Sequence, residues 1–193
     1  MFSLKNMSLE ELQVRLQFRF LAHNVFESRE EVLAKGLASQ PSEEAVKLGT
    51  QFIELIKAAY IPDVSVRWVG ENVGYGLFAE EVIETGNYVG EYTGQVREND
   101  IRRYLEPLNN YCYEYPVVDS VGRSFVIDAN QGNLTRFINH SFTPNLRPVH
   151  VYYAGFYHLI FLAVQKIEIG TQLLFNYGKN YWYLRGTPSI LKI

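Results

Sequence analysis

The sequence predicts a mainly β fold of the α+β class, in which several small curved sheets follow an N-terminal helical element. Residues 1–62 carry helix-start signals and apolar positions at helical spacing. From residue 64 onward, short runs of β-prone residues alternate with turn residues. Most of these runs are too short for one large flat sheet, which favours several small ones. We therefore divide the chain into a helical element (1–62), a β-rich domain (63–180) and a short aromatic C-terminal segment (181–193).

The helical element contains two candidate capping boxes, at residues 8–11 and 28–31, where a serine stands three positions before a glutamate. After Ser42, apolar residues recur at helical spacing, and turn-forming residues at 36–41 separate this helix from the preceding one. Pro62 is predicted to end the last helix. We expect two or three amphipathic helices whose apolar faces cover part of the β domain. A docking or dimerisation surface is the alternative, so a homodimer stays open.

The β domain is predicted from runs of β-prone residues bounded by glycine and polar turn residues. The main runs are 64–69, 77–79, 88–92, 124–127 and 149–164. Within the last run, Ala154-Gly155 predicts the turn of a β-hairpin. The charged stretch 97–105 interrupts the β pattern and is compatible with a short helix.

Charge and composition argue against several function classes. The chain has 18 Lys and Arg against 21 Asp and Glu, a formal net charge of −3, and no extended basic run, so direct binding of nucleic acid is not expected. The single cysteine, Cys112, cannot form an internal disulfide or a cluster of zinc-binding thiolates, and no metal site is predicted. The longest apolar stretch, 151–164, is too short to cross a bilayer, and no signal peptide is visible. We expect a soluble protein.

Four segments concentrate glycine, aromatic and amide residues. They are 74–79, 90–94, 128–145 and 173–178. Taken singly, each has an ordinary structural explanation, such as a glycine turn, a core tyrosine or a polar loop. The dense group Asn139, His140, Ser141 and Asn145 requires hydrogen-bond partners when buried, which favours either an elaborate turn or a ligand-binding loop.

In their order and content, the four segments resemble the SET-domain family of protein-lysine methyltransferases, over about residues 64–182. The most specific parts are the stretches 132–145 and 175–178. The resemblance implies a β-clip fold with a pseudoknot-like crossing, S-adenosylmethionine as cofactor, and a narrow channel that admits a lysine side chain. The implied substrate is a histone tail or another basic protein. The alternative is a catalytically silent SET-like module that binds proteins.

The resemblance also implies roles for individual residues. Tyr177 and Tyr92 would be the catalytic tyrosines, and Tyr92 and Phe175 would line the lysine channel. A phenylalanine at position 175 has no hydroxyl to hold a water in the space for added methyl groups, which implies di- or trimethylation. The residues implied in cofactor binding are Gly74, Tyr75, Gly76, Tyr113, Arg136, Asn139, His140, Tyr177 and Trp182.

The chain departs from many family members near the channel. Phe142 stands where they have a zinc-binding cysteine, and no cysteine follows Cys112. The pattern is similar to zinc-free bacterial and viral members, and we expect residues 181–193 to close the channel by apolar packing. The sequence leaves open whether the protein acts in a bacterial cytoplasm or, secreted as an effector, in a host nucleus.

Overall fold

The computed structural model describes residues 8–99, 109–118, 122–183 and 185. Three helices lie in the N-terminal element and a short one lies near the C-terminal end. They are α1 (Leu9–Leu16), α2 (Arg29–Ala38), α3 (Glu43–Lys57) and α4 (Lys179–Tyr183). The strands are β1 (Val25–Phe26), β2 (Val64–Gly70), β3 (Gly74–Ala79), β4 (Tyr88–Glu91), β5 (Gln95–Glu98), β6 (Cys112–Val118), β7 (Ser124–Asp128), β8 (Asn139–His140), β9 (Leu146–Tyr153), β10 (Phe156–Ala163) and β11 (Leu174–Phe175).

The two predicted capping boxes have different outcomes. Ser8 accepts a hydrogen bond from the backbone of Glu11 while the Glu11 carboxylate accepts one from the backbone of Ser8, so the first box is confirmed. Ser28 makes no side-chain capping bond, so the second prediction is wrong. The reason is its backbone: ψ is 69° at Ser28 but 159° at Ser8, and only the extended conformation directs the hydroxyl toward the first helical turn.

The third helix ends earlier than predicted. Helix α3 stops at Lys57, not at Pro62. Ala59 adopts a left-handed conformation with φ of 49°, and the Tyr60 amide donates to the Leu55 carbonyl. This is the hydrogen-bond pattern that terminates many helices, and it needs no proline.

Within the described residues, the strands form four small sheets, which agrees with the several small sheets that the sequence predicts. Their strand orders are β1-β5-β7-β6, β4-β10-β9, β11-β8 and β2-β3. The hairpin is also confirmed, because β9 and β10 pair from Tyr153 and Phe156 across Ala154 and Gly155, both with positive φ. The stretch 97–105, compatible with a helix by sequence, begins within β5, and residues 100–108 lie outside the described part.

The helices α2 and α3 cover the β9–β10 hairpin. Their glycines allow this close approach, since a Cβ at Gly36 would collide with the carbonyl of Gly155 and one at Gly49 with that of Tyr152. Phe52 and Ile56 of α3 are buried against β4, β9 and β10. The expectation that apolar helix faces cover a β surface is therefore met.

Candidate active site

Two segments far apart in the sequence meet at the centre of the site. Strands β8 and β11 run parallel, with Asn139 opposite Leu174 and His140 opposite Phe175. Immediately after β11, the backbone amide of Tyr177 donates to Nδ1 of His140 at 3.1 Å. The rings of Tyr177 and His140 lie 5.3 Å apart. The pairing therefore brings the Asn139-His140 segment and the predicted catalytic tyrosine together.

One side of Tyr177 faces a cavity of about 610 Å³, which we call the first cavity. Four aromatic residues in its lining form what we call the aromatic cluster: Tyr92, Tyr113, Phe175 and Tyr177. Ring centroids are 4.7 Å apart for Phe175 and Tyr177, 6.2 Å for Tyr92 and Tyr113, and 6.3 Å for Tyr113 and Phe175. The cluster offers several ring faces, which attract cations.

The hydroxyls of both predicted catalytic tyrosines act as donors to backbone carbonyls. Tyr177 donates to the carbonyl of Ile138 at 2.9 Å, and Tyr92 donates to that of Tyr111 at 2.8 Å. Burial raises the pKa of the Tyr177 phenol and that of the Tyr92 phenol. Both groups therefore stay neutral at physiological pH. Because each proton is already donated, the phenol oxygens remain available as acceptors.

A second cavity of about 780 Å³, which we call the second cavity, lies on the other side of Tyr177. Its lining includes Gly74, Tyr75, Asn139, His140 and Trp182. His140 Nδ1 accepts a hydrogen bond, so the ring proton of a neutral imidazole sits on Nε2, and burial lowers the pKa of His140, which favours the neutral form. Within the described residues, His140 Nε2 and Trp182 Nε1 are buried without a hydrogen-bond partner. Both residues line the cavity, but these two nitrogen atoms have no surface accessible from it.

The two cavities share a wall. The residues that line both are Asn110, Tyr111, Arg136, Tyr177 and Tyr181. The Arg136 guanidinium lies 4.1 Å from the centre of the Tyr111 ring, and its Nε donates to the Ala129 carbonyl at 2.8 Å. Burial lowers the pKa of Arg136. Aromatic rings and the Arg136 guanidinium therefore form the wall between the two cavities, and Tyr177 lines both of them.

Two predicted cofactor residues lie elsewhere. Tyr113 lines the first cavity, and its ring also contacts that of His150 at 5.7 Å. Gly76 lines neither cavity, because the space beside it is filled by the side chains of Val69, Asn139 and Gln172. The other predicted cofactor residues line the second cavity: Gly74, Tyr75, Arg136, Asn139, His140, Tyr177 and Trp182.

The sequence reasoning missed Tyr111. Its carbonyl accepts from Tyr92, its ring stacks on Arg136, and it lines both cavities. The signal was present in the alternation of Tyr111, Tyr113 and Tyr115, which is typical of a strand edge with one aromatic face.

The described part of the C-terminal segment packs on the site. The Tyr181 ring lies 4.7 Å from that of Tyr177, and the Trp182 ring stacks on Tyr177 at 6.2 Å. Arg185 fastens this segment by donating to Oδ1 of Asn110, to the carbonyl of Asn109 and to that of Tyr181. Aromatic packing and one arginine therefore hold the segment against the shared wall.

Two features are absent from the described residues. No group of three or more His, Cys, Asp or Glu residues in that part of the chain is arranged to hold a metal ion. Across the same described ranges, none of the helices is long and apolar enough to cross a membrane.

Comparison with known proteins places this arrangement among characterised folds. A family profile described as SET domain matches residues 74–178. The histone-lysine N-methyltransferase EZH2 of Chaetomium thermophilum is 37% identical over 119 residues, which are 58% of this chain but 8% of that protein. The chain thus spans a small fraction of that relative's length.

Solved structures extend the comparison to three dimensions. The ATXR5 SET domain in complex with histone H3 that is dimethylated on one of its arginines matches 90% of this chain and 87% of its own, with a TM-score of 0.68 and 20% identity. At that identity the likeness concerns the fold. A ctPRC2 structure in an autoinhibited conformation, bound to S-adenosylmethionine, matches 72% of this chain and 19% of its own, with a TM-score of 0.55 and 29% identity.

Proposed function

Because this chain belongs to the SET domain family, we propose that it transfers a methyl group from S-adenosylmethionine to a lysine side chain of another protein. The observation that carries the proposal is the pair of cavities that meet at Tyr177. A methyl transfer between two separately bound reactants needs this geometry, with donor on one side and acceptor on the other. Holding both reactants in line is itself worth on the order of 7–11 kcal/mol.

The second cavity fits the cofactor. S-adenosylmethionine supplies an electrophilic methyl group on a sulfonium centre when bound, together with an adenine and a carboxylate that accept hydrogen bonds. The Trp182 indole lines this cavity and offers a face for a flat base, and the Asn139 and His140 side chains line it beside that ring. We assign Gly74, Tyr75 and Asn139 to the same site from the lining they share. A ctPRC2 relative bound to S-adenosylmethionine supports this assignment.

The first cavity suits the lysine. Free lysine has a pKa near ~10.4, yet the nucleophile in this reaction is the neutral amine. Loss of water around the amine in this cavity and the positive charge of Arg136 at the shared wall both disfavour the strongly hydrated ammonium form, and so lower the pKa of the lysine. No side chain therefore has to act as a strong base. We place Tyr113 in this channel and not at the cofactor, because its ring belongs to the aromatic cluster.

The two phenols orient the reaction through their oxygens. Tyr177 and Tyr92 donate their protons to backbone carbonyls, so their lone pairs can accept from the amine or from polarised methyl C–H groups. Each such C–H contact contributes about 0.5–1 kcal/mol. The raised pKa values exclude a phenolate at neutral pH, so we assign both tyrosines an orienting role and no proton-abstracting one.

Phe175 supports di- or trimethylation. Its ring is buried between Phe161 and Tyr177 and carries no hydroxyl that could anchor a water beside the amine. Space near the nitrogen then stays available for added methyl groups, and the ring faces of the cluster attract methylated ammonium.

The proposed substrate is a histone or another basic protein. Support comes from the relative of 37% identity, which is named a histone-lysine N-methyltransferase. We further propose that the protein is zinc-free, like bacterial and viral members, because Cys112 is the single cysteine of the sequence. We also propose two alternative places of action, a bacterial cytoplasm or, after secretion as an effector, the chromatin of a host cell. A homodimeric assembly is a separate proposal.

The competing function is a silent SET-like module that binds proteins without transferring methyl groups. One experiment separates the two: radiolabelled methyl transfer from S-adenosylmethionine to core histones and to a total bacterial lysate. Transfer by the wild-type protein that is lost in Tyr177→Phe supports the enzyme. No transfer to either mixture, with normal binding of a histone tail, favours the silent module.

A further inference from the structure

An extended segment of the N-terminal element lies against the loops that carry the site residues. Phe20 forms a parallel β-bridge with Gly132. Two backbone hydrogen bonds flank this bridge: the Leu21 amide donates to the Gly132 carbonyl, and the Gly132 amide donates to the Arg19 carbonyl. Strand β1 then pairs with β5, with Val25 opposite Gln95. The segment is thus part of the β domain, although sequence alone assigns it to a separate helical element.

Asn24 contacts both ends of the short segment that contains Tyr92. Its Nδ2 donates to Oε1 of Glu91 at 3.1 Å, and its Oδ1 accepts from the amide of Gly94 at 2.9 Å. Within the segment, the Thr93 hydroxyl donates a hydrogen bond to the Leu21 carbonyl at 2.7 Å. The other three residues of the segment 91–94 are therefore all hydrogen-bonded to Leu21 or Asn24.

Glu91 explains why these bonds matter. Glu91 is only 4% exposed, and a buried carboxylate requires hydrogen-bond partners. It has two, Asn24 from the N-terminal segment and Nδ1 of His158 at 2.7 Å. The Glu91 carbonyl accepts from Asn133 and Thr135, which precede the Asn139-His140 segment. Through its carboxylate and its backbone carbonyl together, Glu91 thus connects the N-terminal segment, β10 and residues 133–135 directly beside Tyr92.

From these contacts we propose that Asn24 is a positioning residue for methyl transfer, which acts by fixing the 91–94 segment and hence the phenol oxygen of Tyr92. The inference rests on the proposed function. A catalytic tyrosine misplaced by about 1 Å can cost on the order of 100-fold in rate. The second cavity is not lined by Asn24 or by residues 91–94, so Asn24 has no direct contact with the proposed cofactor site.

The test compares variants at Asn24 with a matched control. Asn24→Ala removes both side-chain bonds, and Asn24→Asp keeps the acceptor for Gly94 but places a carboxylate against Glu91. Gln95→Ala removes an exposed bond to Glu27 from the same β1–β5 pairing without touching residues 91–94. We expect kcat to fall about 10- to 100-fold in Asn24→Ala and further in Asn24→Asp, with no change in Gln95→Ala.

Two further measurements keep the inference separable from folding and from the proposed function. Calorimetric affinity for S-adenosylmethionine should match wild type in Asn24→Ala, whereas general unfolding would weaken it. Hydrogen exchange at the Tyr92 amide, which donates to the Leu159 carbonyl, should accelerate in Asn24→Ala but not in Gln95→Ala. A wild-type kcat and unchanged exchange in Asn24→Ala overturn the inference. If the wild-type protein transfers no methyl group, the proposed function fails, and the exchange measurement alone decides the role of Asn24.

Discussion

Replacing Tyr177 with phenylalanine removes a single oxygen from the centre of the shared wall. The ring contacts with Phe175, Tyr181 and Trp182 involve carbon faces and survive the change. The hydrogen bond to the carbonyl of Ile138, a residue only 1% exposed, does not survive. The substitution therefore separates the role of the hydroxyl from that of the ring.

The effects on stability and on rate should differ in size. A lost buried hydrogen bond costs about 1 kcal/mol of the free energy of unfolding, which lowers Tm by roughly 2–4 °C for a chain of this length. In the reaction, the missing oxygen removes about 0.5–1 kcal/mol per C–H contact and also the constraint on the amine. Together these predict a 10- to 100-fold lower kcat, at about 1.4 kcal/mol per factor of ten.

Single-turnover methyl transfer at saturating cofactor measures the rate, and thermal unfolding measures the stability. Tyr183→Phe is the matched control, since that residue follows on the same segment and is 87% exposed. It should change neither quantity. A wild-type rate in Tyr177→Phe would refute the role assigned to the hydroxyl, and an equal loss of rate in the Tyr183 variant would attribute the effect to the segment instead.

Three further outcomes are expected. Phe175→Tyr should shift the product toward monomethyl-lysine in mass spectra, because displacing a water held by the new hydroxyl forfeits its hydrogen bonds, at about 1 kcal/mol each or roughly five-fold per bond in the later steps; an unchanged product ratio contradicts this. Trp182→Ala removes the indole face from the lining of the second cavity and should weaken calorimetric binding of S-adenosylmethionine about tenfold, whereas equal affinity would place that ring outside the cofactor site. Gly49→Ala forces a methyl group into the carbonyl of Tyr152 and should destabilise the fold by about 1–3 kcal/mol in chemical denaturation, with Thr50→Ala on the same helix as control.

Local signals predicted the elements that local chemistry determines. The hairpin at Ala154-Gly155 formed because two successive residues with positive φ match the strand twist. The capping box at Ser8 formed because it depends on four consecutive residues. The termination of α3 before Pro62 was missed, since a left-handed alanine carries no sequence signal comparable to that of glycine.

Features that depend on distant pairing were harder to predict. Strand β1 has two residues and pairs with β5 about 70 positions later, so no periodicity indicates it. Which of the two cavities Tyr113 faces depends on the pairing register of β6 and β7. That register could not be predicted from the sequence, because the loop between the two strands leaves it undetermined. By contrast, the meeting of His140 and Tyr177 was predictable from the family resemblance alone.

The separation of the two cavities bears on the order of events over several catalytic cycles. If each reactant occupies its own cavity, spent cofactor can leave and fresh cofactor can enter from one face of the wall while the protein substrate stays bound at the other. Successive methyl groups can then be added within a single encounter. Under the proposed function, the protein would release mostly fully modified product even when substrate is in large excess, whereas a methyltransferase with one shared entrance would accumulate the singly modified form first.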